Sequence, residues 1–152
     1  MRYLGANKKG MGGCCLYPGK KNADHSYLID LAMEDQSETL GPYFFMTKPD
    51  CTEEMVVEAI EGKWTPMVEK LSGILAKNKE SGCSGKFMVG DSMTLADIAW
   101  GSIMMRFCHN AANPFHAKFL EVVDANECVK AWSDNIKECF AVWLKTQKES
   151  GF

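Results

Sequence analysis

The sequence predicts an all-α fold, and three observations carry that expectation. Apolar residues recur at three- and four-residue spacings in several long runs between Tyr27 and Leu144. Glycine- or proline-bearing breaks separate most of those runs, at Gly41-Pro42, Gly82 to Gly90 and Asn113-Pro114. The one β-like run, Lys86 to Val89, is too short to anchor a sheet.

Taken in chain order, the first stretch, "GANKKGMGGCCLYPGKKN", reads as an irregular linker. "ADHSYLIDLAMEDQSETLGPYFFM" then reads as a helix. Tyr27, Leu28, Leu31 and Ala32, and further on Leu40, Tyr43 and Phe44, repeat at helical spacing. Asp24 is expected to start this helix, and Gly41-Pro42 to kink or end it. "EEMVVEAIEGKWTPMVEKLSGILAKNKE" places Val56, Ile60, Trp64, Met67, Leu71 and Leu75 on one stripe, with bends expected at Gly62 and Pro66. "ESGCSGKFMVG" reads as a loop that delivers the chain to a third helix, ending near His109. A shorter segment, "FHAKFLEVVD", follows Asn113-Pro114. The last run, "NECVKAWSDNIKECFAVWLKTQ", carries Val129, Trp132, Ile136, Phe140, Trp143 and Leu144 at helical spacing.

The third helix opens on the polar cluster of "GDSMTLADIAW". Thr94 followed three residues later by Asp97 is a capping box, in which hydroxyl and carboxylate exchange bonds with each other's backbone N–H. Met93 and Ile98 occupy the two staple positions. From Leu95 to Cys108 apolar residues cover the helix nearly all round, as on a helix surrounded by protein. The first N–H groups of a buried helix need side-chain partners, so Asp97 is read as a cap rather than a catalytic acid.

The bulk properties narrow the function classes. A chain of 152 residues suits one domain. A net charge of −3 gives no electrostatic reason to expect nucleic acid or an anionic membrane as partner. No apolar run is long enough to span a membrane, and "MRYLGANKKGMGG" has no apolar segment of signal-peptide length, so the cytoplasm is the default location. The seven cysteines are odd in number and irregularly spaced, which favours reduced thiols. The vicinal Cys14-Cys15 pair reads as loop thiols. His25, His109 and His116 are dispersed without metal-ligand spacing, so no metal is expected. "GCSGKF" fails the spacing of a phosphate loop, and "GMGG" follows no strand.

Phe87, Val89, Gly90, Asp91, Thr94, Ala96 and Asp97, continuing into a buried helix, resemble the capping motif of the C-terminal helical domain of glutathione transferases, with the sigma-like branch nearest. Three segments extend the resemblance over most of the chain. "RYLG" resembles the end of the last helix of that family's thioredoxin-like domain. "ADHSYLIDLAMED" resembles the first long helix of its helical domain, and "VKAWSDNIKECFAVWLKTQ" its late helices. The resemblance implies an all-α bundle of about five to six helices. It divides the chain into a remnant at 1–5, a linker at 6–22 and a helical domain at 23–152.

It also implies functions. Asp30 takes the place of an Asp that holds the α-amino group of a neighbouring subunit's glutathione by a charge-assisted bond; a solvated or capping Asp is the plain alternative. Met33, Leu40 and Ile103 would line a pocket for an apolar electrophile, the alternative being simple core. Gly90, Thr94 and Asp97 would be structural. Neither Tyr3 nor Tyr17 matches the family's catalytic Tyr. The family's glutathione clamp precedes "RYLG", so the chain as given is expected to lack catalysis by itself. Glutathione enters as co-substrate only with an upstream thioredoxin-like domain. Two functions stand: the electrophile-site and dimerisation half of a glutathione-conjugating enzyme, or a non-catalytic interaction module in a homodimer or larger assembly.

Overall fold

A computed structural model describes residues 16–40 and 50–145, without the side chains of residues 37–40 and of Trp143. The expectations on "RYLG", Tyr3, Cys14, Cys15, Tyr43 and Phe44 lie outside the described residues, as does the side chain of Leu40.

The fold is an all-helical bundle, with no strand among the described residues. A short 3₁₀ turn, Gly19–Lys21, leads into α1, Ala23–Leu40. A continuous helical rod follows, built from α2, Glu53–Ala59, a π turn, Ile60–Trp64, and α3, Thr65–Glu80. The remaining elements are α4, Leu95–Phe107; α5, His116–Asp124; α6, Glu127–Cys139; and the short α7, Ala141–Leu144.

The start of α1 differs from the expectation. Asn22 caps it, accepting the His25 N–H on Oδ1 at 3.1 Å, and Asp24 sits inside the first turn. Both residue types suit a helix start; a cap needs an extended residue whose side chain reaches two or three residues ahead, and Asn22 is placed to do that. At the other end, α1 is described as far as Leu40, and Gly41-Pro42, where a kink or end is expected, lies outside the described residues.

The bend expected near Gly62 and Pro66 takes the form of the π turn. Val56, Ile60, Trp64 and Val68 are all buried, four residues apart. On an α-helix a four-residue step overshoots one turn by about 40°, so three such steps would carry the stripe off the core. The wider π turn absorbs that drift and keeps Trp64 inward. Pro66 follows directly, in the first turn of α3, and has no N–H to offer the carbonyls of the preceding π turn.

Ten of the thirteen residues of α4 are buried, so it is the central helix. It lies against α1, α5 and α6. Trp100 donates from Nε1 to the Ala32 carbonyl of α1 at 2.7 Å. Gly101 lets α6 cross closely: a Cβ there would stand 2.5 Å from Ile136 Cγ2. At the far end of the core Trp64 meets Phe119 edge-on with ring centroids 5.0 Å apart, and Phe107 lies 5.2 Å from Phe119. The last predicted helix is broken at Phe140, which caps α6 and precedes α7. The segment expected as an irregular linker is also attached to the central helix: the Leu16 carbonyl accepts the Leu95 N–H at 3.0 Å, satisfying one of the first donors of α4.

Candidate functional site

The polar centre of the molecule is built around Asp97. Residues 88–94 run as a loop into α4, and Thr94 is its extended N-cap, with the capping box formed. Asp97 is 0% exposed. Its Oδ2 accepts from the Thr94 N–H and from the Thr94 hydroxyl, both at 2.9 Å. Its Oδ1 accepts from the Met88 N–H at 2.8 Å and from Trp132 Nε1 of α6 at 3.0 Å. Burial pushes this carboxyl above its usual range, while the Trp132, Met88 and Thr94 donors pull the other way. Every lone pair that a reacting group would need is committed to the fold, in a place no solute reaches. This is the capping role read from the sequence.

Gly90 is held in the left-handed region, at φ +70°, and the His25 ring lies 3.2 Å from where a Cβ would be. Asn78, in the last turn of α3, clamps the same loop. Its Oδ1 accepts the Gly90 N–H at 2.8 Å, and its Nδ2 donates to the Phe87 and Gly90 carbonyls, both at 2.9 Å. The Asp91 carboxylate accepts the Ser84 N–H at 2.6 Å, and that bond holds its carboxyl below the usual range.

Asp30 lies on α1, half-buried, and its Oδ2 accepts the Tyr17 hydroxyl at 2.8 Å. The linker tyrosine therefore docks on the carboxylate singled out by the resemblance. Ile103 belongs to the buried core, only 1% exposed, and Met33 is half-buried, packed against that core. A ligand reaching Ile103 would have to open the core. Leu40, the third pocket residue, is the last described residue of α1, and its side chain is outside the described residues.

A different concavity appears on the outer face of the rod. It has a volume of about 390 Å³ and is lined by Glu53, Glu54, Val57, Glu58 and Glu61, all from successive turns of α2 and the π turn. Four carboxylates share this helix face, and Glu53 is paired to Lys118 of α5 at 2.7 Å. Among the described residues no group of three or more His, Cys, Asp or Glu side chains could hold a metal ion. The described cysteines, Cys51, Cys83, Cys108, Cys128 and Cys139, are all free thiols. Burial pushes the Cys108 thiol up, away from the reactive thiolate. No described helix is long and apolar enough to cross a membrane.

The most conspicuous surface feature is apolar. Tyr27, Leu28 and Leu31 of α1 are 66%, 47% and 45% exposed. They form one patch, because Leu31 lies three residues from Leu28 and four from Tyr27 and so neighbours both on the helix face. The opposite side of α1 carries Ile29 and Ala32 into the core. The spacing in the sequence puts Tyr27, Leu28 and Leu31 in a single helical run with Ala32 and does not separate the buried face from the open one. Asn78 and the Tyr17–Asp30 pair escape a reading of the sequence altogether. An Asn in the last turn of a helix, just ahead of a glycine-rich loop, is the signal that could have found Asn78. No family model, curated protein or solved structure matches this chain.

Proposed function

We propose that this chain is a glutathione transferase-like helical domain whose own contribution is association, with α1 as the docking face. The observation that supports this reading best is the exposed patch of Tyr27, Leu28 and Leu31, on the helix that resembles the family's first long helix. Large apolar side chains gathered on one face of a helix mark an interaction surface more often than a solvated one. A second copy of the chain is the proposed occupant, which makes the protein a homodimer acting in the cytoplasm. In this reading glutathione conjugation of an apolar electrophile requires a thioredoxin-like domain to supply the clamp. Asp30, Met33, Leu40 and Ile103 are this domain's contributions to that reaction.

Sedimentation velocity tests the proposal. The wild-type chain is expected at twice its 16.9 kDa mass at micromolar concentration, and Leu28→Glu with Leu31→Glu at the single mass, still folded. A wild-type chain that stays single at every concentration overturns it.

The Tyr17–Asp30 bond favours a second reading, a non-catalytic module within a larger assembly. A carboxylate already holding a tyrosine hydroxyl at 2.8 Å has one oxygen spoken for. The measurement is thermal unfolding with millimolar glutathione. No shift is expected from a non-catalytic module, and a rise in Tm counts against it.

A further inference from the structure

Helix α6 ties down α4 at both ends through two adjacent side chains. Trp132 Nε1 reaches Asp97 in the first turn of α4. Its neighbour Ser133 meets His109, just past the last turn, with Oγ and Nε2 2.9 Å apart. Asp97 and His109 are separated by about 18 Å at the helical rise of about 1.5 Å per residue. The crossing at Gly101 lies between them.

The two ties differ chemically. Asp97 accepts all four of its bonds, from Met88, Thr94 and Trp132. The second tie depends on which partner carries the hydrogen. Ser133 is 1% exposed, and His109 is half-buried. With a neutral imidazole protonated on Nδ1, the Ser133 hydroxyl donates to Nε2, and both polar atoms are satisfied. Add a proton, and Nε2–H must donate to Oγ instead. The hydroxyl hydrogen then loses its one side-chain partner among the described residues and has only a backbone carbonyl of the preceding turn of α6 to turn to, one already engaged in the helix. That exchange, with a charge brought into a half-buried place, is relieved when His109 swings out to water.

We propose that the His109–Ser133 hydrogen bond is a proton-operated latch: in mild acid it releases the C-terminal end of α4 from α6. The surrounding charges do not override it. Lys130, Asp134 and Lys137 of α6 and Asp124 at the end of α5 surround the imidazole, two of each sign, and Lys130 is itself ion-paired with Asp124. Burial is the largest influence and holds His109 below its ordinary pKa, with Lys137 adding to it. The neutral form is therefore the folded form. Stability from this contact is fully present above the unfolded value of about 6.5 and is lost as pH falls through the lower folded value.

The test combines ring NMR with amide hydrogen exchange on the full chain. The wild-type imidazole is expected as the Nδ1–H tautomer, with Nε2 accepting, and titrating below about 6.5. Between about pH 7.5 and 5.0, protection at 105–109 and around Ser133 is expected to fall about fivefold beyond the intrinsic pH effect, the equivalent of one hydrogen bond. In His109→Gln, which cannot titrate, the fivefold loss is expected to vanish. An Nε2–H tautomer in the wild type overturns the proposal whether or not the variant folds, and so does an equal loss in the variant.

Discussion

Replacing Asp97 by Asn turns one oxygen of the buried carboxylate into an NH₂ group with almost no change in volume. Both oxygens of the native side chain face two donors each. If the new amide keeps its oxygen toward Met88 and Trp132, its NH₂ points at the Thr94 N–H, which cannot turn away; only the Thr94 hydroxyl can rotate to accept. If the amide flips, the Met88 N–H and the Trp132 indole N–H lose their acceptor instead. At least one backbone N–H is therefore orphaned in a site with no water, at about 1–3 kcal/mol. Charge-assisted bonds are also exchanged for neutral ones, at about half the strength. Relief of the buried charge works in the opposite direction, which brings the expected net loss to about 2–3 kcal/mol. For a domain of this length that is a fall in Tm of roughly 4–12 °C. Urea unfolding followed by tryptophan fluorescence reads it directly, because Trp64, Trp100 and Trp132 are all buried. A midpoint that drops at constant slope is expected. An Asp97→Asn variant as stable as the wild type would refute the argument, since the four donors would then not outweigh the cost of burying the charge.

Three further outcomes are expected. Gly101→Ala drives a methyl to within 2.5 Å of Ile136 Cγ2 and should cost about 1–3 kcal/mol by forcing α4 and α6 apart, read as a lower urea midpoint. Asn78→Ala removes three loop contacts at once and should raise amide exchange at Met88 to Gly90 before global stability falls, because the loop opens without unfolding α4. The Ser84 bond holds Asp91 below its unfolded value, so its contribution is present above about pH 4 and lost as pH falls through the folded value; Asp91→Asn should flatten that part of the acid limb in a pH series of thermal melts.

Periodic features of the fold are legible in the chain, and singular ones are not. The stripe Val56, Ile60, Trp64, Met67, Leu71 and Leu75 is buried throughout, as its spacing requires. The Thr94–Asp97 box forms because its chemistry is local, three residues apart. The π turn stays hidden because a four-residue repeat looks helical until its accumulated drift is compared with the width of the core. Asn22 and Asp24 are equally suitable cap types, and it is Asn22 that accepts the His25 N–H. Trp132 reads as core, which it is; that its indole N–H also supplies a donor to Asp97, thirty-five residues earlier, follows only once α6 crosses α4. Asp30 stands out through resemblance alone, and the hydroxyl that meets it comes from a segment that reads as featureless linker.

The Asp97–Trp132 bond also sets a timetable for folding. Residues 88–97 can build the box as soon as they leave the ribosome, since Met88 and Thr94 are near neighbours in sequence. The carboxylate is not fully provided for until Trp132 arrives, and until then water must occupy the place of the indole. The central helix therefore stays wet on one side while the chain ahead of α6 is made. It dries only when α6 closes over it. Ribosome-bound chains that end before α6 should hold helices in a loose, protease-sensitive state, with cooperative folding beginning only when α6 has been synthesised and released.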